Sequence, residues 1–209
     1  MSRFTFPYPV KPWLQTQAWG VANPAYEKFG FSRHNGTDIA LGFDKLIRAP
    51  FAGTVIRAAT PANGQWQPNG GGIFVSVLSD EQFTFDDGMS CYVLADFLHC
   101  DHLLVTEGQH VTLGVPLAVA DNTGFSTGPH THIQLRRETK LPAPAGAASS
   151  YRLLSESVWL QDVDKNDANN SFDPTPYYTK TYAIDDALSP IQKVLAAAIT
   201  FLSSLKGRP

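Results

Sequence analysis

The chain has 209 residues, 43% of them apolar, 17% charged and 11% aromatic, a composition that excludes intrinsic disorder and a long coiled coil and suits one large domain with small appendages. Lys and Arg number 16 against 19 Asp and Glu, a net charge of −3, so no sequence-wide positive field is available to hold a phosphate backbone and no nucleic-acid partner is expected. Gly and Pro, 16 and 15 residues, favour many turns joining short strands over long helices.

Residues 1–24 carry Phe4, Phe6, Tyr8, Trp13 and Trp19 among several prolines. Each Pro removes a backbone donor and fixes its own φ, so this segment is predicted to be an extended arm packed on a sheet. It contains no apolar stretch of the kind that makes a secretory signal, and no run of about 18 apolar residues occurs anywhere. Neither a signal peptide nor a membrane span is expected, and export would need another route. From about Phe31 to Arg137 short β-like runs recur, among them 47–59, 71–79, 91–99, 115–121 and 130–137, each bounded by Gly, Pro, Asn or Asp. Two polar inserts, 60–72 and 79–90, are expected to be long loops walling a groove, with Trp66 and Phe85 as the aromatics that would meet a ligand. Cys91 and Cys100 allow at most one disulfide and show neither a zinc-pair nor a redox spacing.

The tail differs in kind. Ser189 as N-cap, Pro190 at the first helical position and Gln192 at the third form a capping-box pattern, and Gly207 supplies a stop, so a helix is predicted over about 190–206. Leu188, Ile191, Leu195, Ala198, Leu202 and Leu205 make one apolar stripe along it. The stripe is expected to dock on its own domain, with self-association or contact with a membrane surface through Lys193, Lys206 and Arg208 as the alternatives.

Three clusters hold the chemistry-bearing residues. In Gly128-Pro129-His130-Thr131-His132, strand alternation sends His130 and His132 to one face and Thr131 to the other, so two imidazoles converge. In His34-Asn35-Gly36-Thr37-Asp38 a Gly lets the backbone turn so that an imidazole and a carboxylate face one ion, both good zinc donors. With His132 these make three N/O donors and leave a position for water, as a catalytic zinc requires. The third cluster is His99-Cys100-Asp101-His102, where the pattern leaves open whether His99 or His102 faces the site.

These motifs occur in a particular order: His34-x-x-x-Asp38, then Ala49-Pro-Phe-Ala-Gly-Thr-Val, then His99 with Val105-x-x-Gly108-Gln109, then Asn122-Thr-Gly-Phe-Ser-Thr-Gly-Pro-His130-Thr-His132. In that order, over about 100 residues, the sequence resembles the lysostaphin-type (LytM) zinc endopeptidases of family M23. Phe172-Asp-Pro-Thr-Pro-Tyr-Tyr178 resembles the segment that closes such domains. The resemblance implies a mainly β fold, an antiparallel β-sheet LytM/lysostaphin-like (duplicated-hybrid-motif-like) domain with long loops, to which the C-terminal α-helix would be added. The arm would span 1–24, the peptidase domain 25–178 with an insertion at 139–171, and the linker and helix 179–209.

Carried over by position, the resemblance makes His34, Asp38 and His132 the ligands of one catalytic Zn²⁺ and His99 and His130 the catalytic pair. It prefers His99 to His102 because the family places its catalytic His ten residues before the Gln of Gly-Gln, here Gln109. His102 and His110 would then be surface residues. The implied function is hydrolysis of peptide bonds in the stem or cross-bridge of bacterial peptidoglycan. The occupied positions argue against a non-enzymatic scaffold of the same fold that regulates a partner hydrolase. A zinc peptidase acting on a protein is a further alternative. A phage lysin, released by lysis or carried in a virion, would suit the layout. Residues 162–173 place carboxylates or amides at several positions of a calcium-loop frame, but Asp167 stands where the turn needs Gly, so a solvated acidic loop is expected.

Overall fold

Alternation of apolar and polar side chains along three long strands sets the architecture. A computed structural model describes residues 4–29, 33–41, 45–60, 70–138 and 171–182. The strands are β1 (Phe6–Tyr8), β2 (Gln15–Gln17), β3 (Thr37–Ala40), β4 (Leu46–Arg48), β5 (Gly53–Ala59), β6 (Ile73–Thr84), β7 (Ser90–Leu103), β8 (His110–Val111), β9 (Pro116–Ala120), β10 (His130–Glu138) and β11 (Tyr178–Tyr182). Short 3-10 turns occupy Pro24–Phe29 and Thr175–Tyr177.

The main sheet runs β2-β3-β10-β7-β6-β5-β8, with β9 paired to β7 and β4 to β9, and its pairings are antiparallel. On one face Val75, Val77, Val93, Ala95, Phe97, Ile133 and Leu135 are buried as the core. The opposite face places His132 beside Leu98, and Gln134 and Ser76 beside Asp96. That face carries buried polar groups, which must be paired to be tolerated. Ser76 Oγ donates to Asp96 Oδ1 at 2.5 Å and Arg136 Nε donates to Asp96 Oδ2 at 3.0 Å.

The arm is extended and packed, as the prolines predict, and it has a partner that the sequence does not reveal: β1 pairs in parallel with β11. Phe4 and Phe6 enter a ring cluster with Phe51, Phe83, Phe85, Phe172 and Tyr177. Ring pairs of this kind contribute about 0.5–1.5 kcal/mol each beyond the area they bury.

The expected loop at 79–90 is instead a continuation of the β6–β7 hairpin, closed by a turn in which Phe85 N–H donates to Met89 O at 2.8 Å. Phe85 is therefore no groove aromatic. It is buried in the ring cluster, with the Arg137 guanidinium 3.9 Å from its centre. The alternation of Phe83 and Phe85 with Gln82 and Thr84 continues the period of a half-buried strand, which explains the difference. Cys91 and Cys100 are both buried and free, and burial pushes the Cys100 thiol up to about 12. Trp66, the calcium-loop frame before Ser171 and the helix expected over about 190–206 lie outside the described residues. Among the described residues no helix is long and apolar enough to cross a membrane.

Candidate metal and catalytic site

Strand pairing brings the first three residues together. β3 and β10 are antiparallel neighbours in a register that sets His132 directly opposite Asp38, and paired residues project to the same face. His34, one turn before β3, completes the group. The backbone approaches closely there: a Cβ at Gly36 would lie 2.5 Å from His132 Nε2, so only Gly fits beneath that ring.

Three atoms form a nearly equilateral triangle. His34 Nε2 lies 3.0 Å from His132 Nδ1 and 3.1 Å from Asp38 Oδ1, and His132 Nδ1 lies 3.0 Å from the same oxygen. Hydrogen bonding cannot satisfy all three contacts when both rings are neutral. His34 Nδ1 faces the carbonyl of Ala18 at 2.9 Å and donates its proton there, which leaves a lone pair on Nε2 pointing at a carboxylate. A cation among the three resolves this repulsion. Donors of a tetrahedral zinc, at ligand distances of about 2.0–2.2 Å, lie about 3.3–3.6 Å apart, close to the spacing found. His132 Nε2 is buried without a hydrogen-bond partner, so the ring is held by its Nδ1 contacts and by packing against Gly36. The residues present fit a zinc ion.

The electrostatics agree. Burial opposes ionisation of Asp38, yet its contacts with His132 and His34 outweigh it and hold the carboxyl well below the usual carboxylate range. Burial pushes the His132 imidazole down, against the pull of Asp38. Tyr26 stacks on His34 at 5.5 Å between ring centres, and burial together with the Asp38 charge pushes its phenol up.

His99 and His130 stand beside this triangle. Their ring centres are 4.7 Å apart, and His130 Nε2 is 3.5 Å from Asp38 Oδ1. His130 Nδ1 lies 2.8 Å from Gly128 O and 3.1 Å from Ser126 Oγ. His99 Nδ1 lies 2.7 Å from Thr123 O. A carbonyl can only accept, so each contact places the proton on Nδ1 and the lone pair on Nε2. Burial, with His132 and His130 nearby, pushes His99 down to about 3, so its ring is uncharged at neutral pH.

His99 takes a backbone conformation the sequence does not announce. Its φ is 64°, a left-handed geometry that costs a non-Gly residue about 1–3 kcal/mol. The register of β7 against β6 shifts in the same stretch, between Phe97 and Cys100. The bulge turns His99 inward beside Leu98, whereas plain alternation would separate them. His102 is exposed and paired with Asp101 at 2.8 Å, and His110 is exposed and paired with Asp80 at 2.7 Å. The structure thus brings His34, Asp38, His99, His130 and His132 into one cluster and leaves the other two described histidines at the surface. The groups that fix the rings of His34, His99 and His130 are backbone carbonyls, of Ala18, Thr123 and Gly128, and a carbonyl leaves no residue-type signal.

With this geometry in view, comparisons with known proteins agree. The family model described as peptidase family M23 matches residues 32–144, which is 113 of 209 residues. An uncharacterized metalloprotease of Haemophilus influenzae is 30% identical over 140 residues, which cover 63% of this chain and 26% of the relative. The chain thus spans about a quarter of the length of that curated relative. The catalytic domain of the antimicrobial peptidase lysostaphin from Staphylococcus simulans aligns with a TM-score of 0.50 and 18% identity, covering 79% of this chain and 91% of that one. A variant catalytic domain of the prophage-encoded M23 protein EnpA from Enterococcus faecalis aligns with a TM-score of 0.50 and 19% identity, covering 82% and 96%. At these identities the likeness is one of fold.

Proposed function

The chain belongs to peptidase family M23, and from that premise we propose that it is a zinc metalloendopeptidase hydrolysing peptide bonds in the stem or cross-bridge of bacterial peptidoglycan. The observation that carries this reading is the triangle of donors on His34, Asp38 and His132 with two imidazoles, His99 and His130, set against it, each anchored by Nδ1 on a carbonyl with Nε2 free of that bond. His34 Nε2, Asp38 Oδ1 and His132 Nδ1 would hold the ion. When bound, zinc supplies Lewis acidity toward water and the peptide carbonyl.

The remaining work falls to the chain's own side chains. His99 and His130 each present Nε2, one to take a proton from the attacking water and the other to give one to the leaving amine. The Nδ1 bonds to Thr123 O and Gly128 O survive when Nε2 is protonated, so each ring keeps its orientation through the proton transfer. Asp38 contributes a negative charge that is retained to low pH and offsets one of the two charges of the ion. The five occupied positions speak against a non-enzymatic scaffold, which has no need of them. The wall as substrate rests on the family resemblance of the sequence.

The test is mass spectrometry of purified peptidoglycan after incubation with the zinc-loaded protein, beside His99→Ala and His132→Ala. New stem or cross-bridge termini are expected with the wild type and neither variant, and one zinc per chain is expected in the wild type and His99→Ala. No cleavage of several wall chemotypes by a folded, zinc-loaded protein overturns the wall as substrate and directs the search to a protein.

A further inference from the structure

Three segments meet at one buried side chain, that of Thr123. Its Oγ1 donates to the carbonyl of Cys100 at 2.7 Å and accepts the backbone N–H of Ile73 at 3.0 Å. The carbonyl of the same residue accepts the Nδ1 proton of His99 at 2.7 Å. The flanking segments also hold the backbone of His99: its N–H donates to Gly71 O at 2.9 Å, and its carbonyl accepts from Asp121 N–H at 3.0 Å. Every polar group of His99 except Nε2 is therefore committed to residues 71 or 121–123.

The two flanking segments approach each other closely. A Cβ at Gly72 would lie 2.3 Å from Thr123 Oγ1, and one at Gly124 would lie 2.3 Å from Gly70 O. The backbones of the two segments therefore press on each other with no side chain between them, and Gly72 and Gly124 both take positive φ. The run of glycines at 70–72, which reads in the sequence as a flexible loop end, is a contact surface.

We infer that Thr123 is a positioning residue for His99, whose hydroxyl clips the 70–73 segment to the bulge of β7 and so fixes the backbone and the ring tautomer that present Nε2 to the substrate. The reasoning joins two facts. The left-handed residue and its register shift persist only when their surroundings over-determine them, and the hydroxyl ties the carbonyl immediately after His99 to the strand beside it. The effect on turnover rests on the proposed role of His99, whereas the effect on its ring does not.

The experiment uses the full, zinc-loaded, ¹⁵N-labelled chain and long-range ¹H–¹⁵N correlation of the imidazoles, alongside wall hydrolysis. Wild-type His99 is expected to be the Nδ1–H tautomer with a slowly exchanging proton. Thr123→Val, which replaces the hydroxyl with a methyl of similar volume, is expected to keep its zinc and to lose about 10- to 100-fold in kcat with KM within about twofold. Its His99 ring is expected to lose the slow proton or to show mixed tautomers. Thr123→Ser restores the hydroxyl and should return both readouts to near wild type. A folded Thr123→Val with unchanged His99 signals and kcat overturns the inference, even with a lower Tm, because that is the behaviour of a purely structural residue. Wild-type His99 found as the Nε2–H tautomer overturns it too, whether or not the Val variant folds. If His99→Ala hydrolyses walls as fast as the wild type, the role of His99 fails while the ring signals still decide on the clip.

Discussion

On one face of β10, His132, Gln134 and Arg136 are buried through directional bonds: to Asp38, to Asn35 and to Asp96. On the other face Ile133 and Leu135 are buried in the core by contact alone, and the core continues into the rings of Phe4, Phe6, Phe83 and Phe85. The polar face gains little net free energy from its bonds, because each replaces one with water. The apolar face gains from every area of surface it removes from water. One strand thus separates a face that sets geometry from a face that sets stability, and substitutions on the two should fail in different ways.

The largest expected effect is His132→Ala. Loss of one of three donors should abolish zinc binding and lower wall hydrolysis by about 10³-fold or more, while the zinc-free protein stays within about 2 kcal/mol of the wild type in urea unfolding. Retained metal with retained hydrolysis would remove His132 from the site. Phe6→Ala tests the other side. Phe6 is buried among Phe4, Phe51 and Phe83, so the substitution should cost about 3–5 kcal/mol of stability and leave kcat within about twofold at a temperature where the variant is folded. A large fall in kcat without a fall in stability would show that the two faces are coupled.

Acidification should expose the cost of the polar face. Between about pH 3, to which burial lowers His99, and the ordinary value of about 6.5, the unfolded chain binds a proton at this residue and the folded chain does not. Stability therefore rises with pH across that window, by at most about 1.4 kcal/mol per pH unit for each such proton, and is lost as the pH falls. His132 acts in the same direction, and Asp38, lowered by its histidine partners, does so below about pH 4. Thermal unfolding of the zinc-free protein from pH 7 to pH 4 should show a falling midpoint, with a shallower fall in His99→Asn. A midpoint that rises on acidification is incompatible with His99 and His132 being buried and uncharged.

The same contrast decides what the sequence could reveal. His34 with Asp38, and His130 with His132, are legible as two pairs because short-range rules set each one: a turn at Gly36 and the two-residue period of β10. That the pairs meet depends on the pairing of β3 with β10, which only the family resemblance implies in the sequence. The five β-like runs were legible for the same reason, since alternation survives without knowledge of the partner strand. The parallel pairing of β1 with β11 was not, because Phe6 and Tyr178 are joined by nothing local. Phe85 reads as a groove-wall residue because the acidic residues after it look like a loop, although its burial depends on Phe4 and Phe172, distant in sequence. The carbonyls of Ala18, Thr123 and Gly128 were invisible because every residue carries one.

The smallest expected effect concerns the choice between His99 and His102. Three residues apart on a regular strand, the two would lie on opposite faces, and nothing in their spacing says which is inward. The bulge decides: with φ at 64° His99 is turned into the buried side beside Leu98, and the strand then resumes with Asp101 and His102 exposed. Their contact with each other is a surface pair, of a kind that contributes about 0–1 kcal/mol. His102→Gln should therefore leave zinc content unchanged and kcat within twofold, measured on the same wall substrate as His99→Ala. A tenfold loss in His102→Gln would mean that the bulge relaxes when substrate binds and exchanges the two imidazoles, which would make the left-handed residue a moving part of the site.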